Sequence, residues 1–121
     1  MNKKILIVSS NYYSEISDNL ELGAINYLKE NNIQFDVVNA PGCFELPYIV
    51  KKNIKKYDGF IALGCVIRGE TSHYDIVSEI SANYLLKLST KYVVPITNGI
   101  LTVNNKQQAL YRADKNKKNH G

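Results

Sequence analysis

Tyr57-Asp58-Gly59-Phe60-Ile61-Ala62-Leu63, followed by Gly64-Cys65-Val66-Ile67-Arg68-Gly69-Glu70-Thr71-Ser72-His73-Tyr74-Asp75, is the stretch on which the fold turns. Its first part is a short, nearly continuous apolar run, the pattern of a strand buried on both faces. Beyond it, Ile76, Val77, Ile80, Tyr84, Leu85 and Leu88 recur at three- and four-residue spacing, the stripe of an amphipathic helix. The polar residues between them are therefore a strand-to-helix turn. In open parallel sheets, ligands bind at the carboxyl ends of the strands.

That turn is dense in chemistry. Thr71 or Ser72 can cap the helix, and Ser72 with Asp75 has capping-box spacing, with Asp standing in for Glu. The first free amides of a helix and its dipole form an anion site. His73 falls in this first turn, where the positive helix end favours a neutral ring. One reading is a proton-transfer group beside a phosphate pocket. The other is a surface histidine in a capped helix.

Outward from this stretch, the chain alternates. Lys4 to Ser9 reads as a first strand, and Ser14 or Ser17 starts a helix with Ile16, Leu20, Ala24, Tyr27 and Leu28 inward, ended by Asn31-Asn32. Phe35 to Asn39 is a second strand. Pro41-Gly42 then marks a turn, and Pro47 suits the first turn of a helix running to about Ile54. Tyr92 to Thr97 reads as a fourth strand, placed at an edge by Pro95, with Asn98 to Thr102 leading into a last helix over Lys106 to Ala113. Four strand–helix units predict an α/β fold, a three-layer α/β/α sandwich on a four-stranded parallel sheet with right-handed crossovers.

Segments 9–14, 40–45, 64–73 and 97–103 should then gather on one rim. The first lacks the GxGxxG of dinucleotide folds, and no GxxxxGK[ST] phosphate loop occurs. The clustered aspartates of a phosphoacceptor domain are missing from these strand ends as well.

With 121 residues, 45% of them hydrophobic and 21% charged, the chain reads as a single folded domain over residues 1–121. No apolar run nears the roughly 20 residues of a membrane helix. The apolar segment after Met1-Asn2-Lys3-Lys4 is too short for a signal peptide, so a cytoplasmic protein without membrane contact is expected. Cys43 and Cys65 are the two cysteines. Without CxxC or a nearby His pair they are no metal-site pattern. Both fall at strand ends, but a disulfide is not expected in a cytosolic chain. The net charge of +4 is concentrated in Arg112, Lys115, Lys117 and Lys118. Without an aromatic-interleaved basic face, this reads as a solvated or phosphate-facing terminus rather than a nucleic-acid site.

Taken together, the rim segments resemble those of the lumazine synthase family. The resemblance is collinear from Lys4 to Gly121. It is carried by Pro41-Gly42-Cys43-Phe44-Glu45-Leu46-Pro47 and by Leu63 to Asp75, and extended by Val94-Pro95, Gly99-Ile100-Leu101-Thr102, Gln108-Ala109 and Arg112-Ala113. It implies a flavodoxin-like fold and the penultimate step of riboflavin formation. That step condenses 5-amino-6-(D-ribitylamino)uracil with 3,4-dihydroxy-2-butanone 4-phosphate to 6,7-dimethyl-8-ribityllumazine, without metal or organic cofactor.

The resemblance also implies roles. Tyr12 would stack on the pyrimidine. Cys43, Phe44 and Glu45 would line the ribityl side, with Glu45 accepting sugar hydroxyls. Cys65, Val66 and Ile67 would offer main-chain groups to the uracil, and Glu70 and Thr71 would hold the phosphate. His73 would transfer protons. Asn98 and Arg112 would come from a neighbouring subunit, with Arg112 clamping the phosphate. The implied assembly is a homo-oligomer, a pentamer or an icosahedral shell of pentamers. Against the family pattern, Asn98 stands where Phe is frequent and His120 where Lys is usual. A shorter amino-terminal segment and no further carboxy-terminal helix are expected. From the residues alone, Tyr12 could instead cover the sheet end, Phe44 could be core, and Glu45 could be a helix-start carboxylate. Arg68 is expected to pair with an acid such as Glu79 or with a neighbouring chain.

Overall fold

The computed structural model describes residues 3–68 and 73–114, the side chains of 73–75 excepted. Glu70, Thr71, His120 and the His73 side chain lie outside the described residues. Strands β1 (Lys4–Ser10), β2 (Gln34–Ala40), β3 (Gly59–Ile67) and β4 (Ile96–Val103) alternate with helices α1 (Ser14–Glu30), α2 (Leu46–Lys52), α3 (His73–Tyr92) and α4 (Lys106–Ala113). A short 3-10 turn, Cys43–Glu45, precedes α2. The strands form a parallel sheet in the order β2-β1-β3-β4.

Alternation along β3 sets the layers. Phe60, Ala62 and Val66 point to one face, where Leu46, Val50, Val77, Leu85 and Leu88 from α2 and α3 cover them. Leu63 and Cys65 point to the other, beneath Ile16, Leu20 and Leu28 of α1 and Ala109 and Ala113 of α4. Both faces of β3 are buried, which is why its sequence shows no polar alternation. Three layers with a four-stranded parallel sheet is the architecture expected above.

Four local readings need correction. On α3 the inward positions are Val77, Ser81, Leu85 and Leu88, whereas Ile76 and Tyr84, expected in the apolar stripe, are exposed. Tyr27 is 63% exposed, and Ser17 occupies the inward position on α1, donating its hydroxyl to the Ser14 carbonyl. The third strand runs on through Gly64–Ile67, which the sequence placed in the turn. The largest displacement is at β4, which begins at Ile96 rather than Tyr92. Tyr92-Val93-Val94 has strand-like composition, yet Tyr92 closes α3 and Val93 turns the chain. Pro95 then precedes the strand and offers its carbonyl to the Phe60 amide at 2.9 Å, so its missing N–H costs no ladder bond. The edge position expected for this strand holds.

The two long helices end alike, in a left-handed residue bracketed by a long backbone bond. After α1 it is Asn32, φ 56°, with Ile33 N–H reaching the Leu28 carbonyl at 2.9 Å. After α3 it is Val93, φ 53°, with Val94 N–H reaching the Ser89 carbonyl at 3.2 Å. Asn tolerates this conformation; a β-branched residue does not. Because Val93 is 88% exposed, its side chain contributes little packing to offset the strain. Val93→Gly should therefore raise unfolding stability by about 1 kcal/mol, measured by urea denaturation.

Candidate active site

The strand order sends the chain from β1 outward to β2 and from β3 outward to β4, so the switch point lies between β1 and β3. Their pairing ends at Ser9↔Leu63, whereas β3 stays paired with β4 as far as Ile67↔Val103. Residues Gly64–Ile67 therefore project past the end of β1, and their main chain has no strand on that side. The segments following β1 and β2 curl around this overhang, tied together by Asn11 N–H donating to the Ala40 carbonyl at 2.9 Å. They enclose a cavity of about 490 Å³ lined by Tyr12, Cys43, Phe44, Glu45, Cys65, Val66 and Ile67, with Ser10, Tyr13 and Val77 among the other walls.

Close backbone approach makes this possible. Cys43 lies against the overhang, its thiol 3.9 Å from the Cys65 carbonyl. A methyl group at position 64 would come within 2.6 Å of the Cys43 sulfur and 3.2 Å of Ser10 Cβ. Only glycine lets the Cys43 segment settle on the strand. Cys65 is buried on the opposite face, beneath α1, so the neighbouring cysteines do not face each other and both are free. Burial pushes the Cys43 thiol up, and burial, reinforced by Cys43, pushes Cys65 up to about 12. Neither is a ready nucleophile at neutral pH.

The remaining walls separate the competing readings of the sequence. Phe44 is 49% exposed and stands between this cavity and a second one, of similar size, between α2 and α3; it is not core. Glu45 occupies the N-cap of α2 but makes no capping bond, and its carboxylate folds over Gly42, 3.1 Å from where a Cβ would sit there. Tyr12 is 73% exposed and covers little of the sheet.

Other predicted residues lie elsewhere. Asn98 belongs to β4 rather than to a loop; it is level with Ala62, and its side chain accepts the Ile100 amide at 3.0 Å. The segment 97–103 thus runs beside β3 instead of joining the rim, and none of it lines the cavity. Arg112 sits half-buried in the last turn of α4, and no α4 residue reaches this cavity. His73 is the first residue of α3. Arg68 donates its Nε–H to Asn104 Oδ1 at 3.0 Å and its backbone N–H to Val103, fastening the end of β3 to that of β4. Among the described residues, no three His, Cys, Asp or Glu side chains converge on a point where a metal could sit, and no helix is long and apolar enough to cross a membrane. Tyr13 and Ser10 were missed by the sequence reading. Both fall in segment 9–14, expected on the rim, but were not singled out as site residues.

An open parallel sheet in 2-1-3-4 order with a cavity at its switch point defines a flavodoxin-like α/β protein built to hold a small molecule. The family model described as 6,7-dimethyl-8-ribityllumazine synthase matches residues 2–121. The chain is 42% identical to the 6,7-dimethyl-8-ribityllumazine synthase of Bartonella bacilliformis over 100% of its length and 82% of the relative's. With that of Bartonella henselae it shares 45% identity (97% and 78% covered), and with that of Zymomonas mobilis 44% (98% and 86% covered). The chain belongs to the 6,7-dimethyl-8-ribityllumazine synthase family.

Two outcomes follow from the packing at Gly64. Gly64→Ala should cost roughly 1–3 kcal/mol of stability, and Cys43→Ala in the same chain should restore part of it, both read from urea unfolding. The Cys65 thiol holds its proton more tightly folded than unfolded. Its contribution is therefore complete below the unfolded thiol's pKa of about 8.5 and is lost as pH rises from there. Cys65→Ala should flatten the decline of stability between about pH 8 and about pH 10 in the same assay.

Proposed function

We propose that this chain is a lumazine synthase, joining 5-amino-6-(D-ribitylamino)uracil to 3,4-dihydroxy-2-butanone 4-phosphate with loss of water and phosphate. The observation that carries the reading is the cavity beside the β3 overhang, where Tyr12, Cys43–Glu45 and Cys65–Ile67 meet. A flat, polar heterocycle needs an aromatic face and main-chain groups along its edge. Here an exposed tyrosine ring stands at the rim and a length of strand lies beyond its β1 partner. Glu45, uncommitted to capping, is the acceptor for ribityl hydroxyls.

Imine formation, phosphate elimination and ring closure are proton transfers around a ketone, and His73 at the start of α3 is the group for them. Glu70 and Thr71 would hold the phosphate through the turn before that helix. Asn98 and Arg112 would serve the site of an adjoining copy, with Arg112 as a two-pronged clamp on phosphate. Their distance from the cavity of their own chain supports this division, since neither lines it. The assembly would be a cytoplasmic homo-oligomer, a pentamer or a shell of pentamers. The half-exposed Phe44, Tyr48 and Tyr84 around the α2–α3 groove offer the apolar surface such contacts use.

Holding two reactants in register can itself supply roughly 7–11 kcal/mol of barrier lowering. Mixing the purified protein with both substrates should produce lumazine absorbance, and its absence would refute the assignment. His73→Ala should slow turnover by about 10²–10⁴-fold at most without abolishing it. Arg112→Ala should do more harm, chiefly through KM for the ketone phosphate. An Arg112→Ala enzyme with unchanged kinetics removes that residue from the site.

A further inference from the structure

Tyr13 lines the cavity beside Tyr12, and its position in the chain is an unusual one for its residue type. It stands at the N-cap of α1, its carbonyl accepting the amides of Ile16 and Ser17 at 3.0 Å, so the helix fixes its backbone. N-caps favour Ser, Thr, Asp and Asn, whose short side chains bond the free first-turn amides. Tyrosine cannot, and no side-chain cap bond is made here. The fold forgoes a cap and places a large amphipathic ring in the cavity wall instead.

That ring is held firmly. It packs partly buried against the core under α1 and meets Tyr12 edge-on, with centroids 4.8 Å apart and planes at 79°. Tyr12 itself is largely exposed, so Tyr13 is its lateral support. The Tyr13 hydroxyl has no hydrogen-bond partner among the described residues. Burial pushes its ionisation up, and Tyr12, Cys65 and Cys43 act in the same direction, so it stays an O–H donor. Much of the surrounding wall is apolar: Phe44, Val66, Ile67 and Val77.

We propose that Tyr13 is a specificity-determining residue of this cavity, giving its hydroxyl to a polar group of the pyrimidine substrate while its ring holds Tyr12 in place. This rests on the reading of the cavity as the substrate site. An aminouracil with a ribityl chain presents carbonyl and hydroxyl oxygens that can accept such a bond. The ketone phosphate has acceptor oxygens too, but Tyr13 stands against Tyr12, the ring assigned to the pyrimidine, and this contact directs its hydroxyl to that substrate.

The test is steady-state kinetics with each substrate varied in turn, alongside a thermal melt. Tyr13→Phe removes one oxygen and keeps the ring. It should melt near the parent protein and raise KM for the pyrimidine about three- to tenfold, leaving KM for the ketone phosphate unchanged. Tyr13→Leu, which also removes the support for Tyr12, should raise the pyrimidine KM further. A Tyr13→Phe enzyme with both KM values unchanged overturns the inference, and so does one whose KM rises equally for both substrates. If the parent protein forms no product, the reading of the site fails and the inference falls with it, an outcome distinct from an active parent with a silent Tyr13→Phe.

Discussion

The overhang of β3 beyond β1 is the constraint from which the rest of this structure follows. A central strand buried on both faces has its main chain satisfied by neighbours on either side, except where one neighbour ends early. Here β1 turns away after Ser10 to start a helix, and β3 continues to Ile67 with support from β4 alone. The main-chain edge that results has no strand beside it and is held in place by the sheet. Such an edge is a fixed template for a ligand with alternating donors and acceptors.

Around that edge, each element is placed by packing rather than by local preference. The Cys43–Glu45 turn reaches the strand because position 64 has no side chain, and Leu46 and Val50 behind it anchor the turn in the core. The Tyr12-Tyr13 pair is aimed by the start of α1, whose own register is set by Ile16 and Leu20 against the sheet. The Tyr12-Tyr13 and Cys43–Glu45 segments are thus held in place by what lies beneath them. That is the condition for holding two reactants in a fixed relation.

On the reading proposed above, a division of labour between copies would be the natural consequence of a small domain. A single chain supplies the aromatic wall, the carboxylate and the main-chain edge. The guanidinium of Arg112 and the amide of Asn98 belong to the far layer and the far edge of the sheet. A domain of this size has little room to bring all these groups to one rim; in the proposed assembly an adjoining copy would present its own edge instead.

Alternation of strands and helices, the parallel sheet and, as far as Ile67, three of the four rim segments were legible in the local pattern of the chain. Hydrophobic period and turn residues are local properties, and they are written in Ile5–Val8, Phe60–Leu63, Pro41-Gly42 and the Val77, Leu85 and Leu88 positions of α3. The sequence also contained the ordered set of motifs by which the family is known. What it left open were outcomes of competition between elements. Tyr92-Val93-Val94 carries strand-forming side chains, but Tyr92 closes α3 and Val93 and Val94 make the turn that follows, because strand pairing with β3 begins only at Pro95 and Ile96. Gly64 suggested that the strand ended there, but Val66 and Ile67 are strand formers, and the pairing with β4 carries β3 on to Ile67. The place of Tyr13 in the wall, the separation of Cys43 from Cys65 by the sheet, and the distance of Asn98 and Arg112 from the cavity depend on contacts between residues far apart in the chain. Such contacts are decided by which faces bury the most apolar surface together, and no local window of sequence contains them.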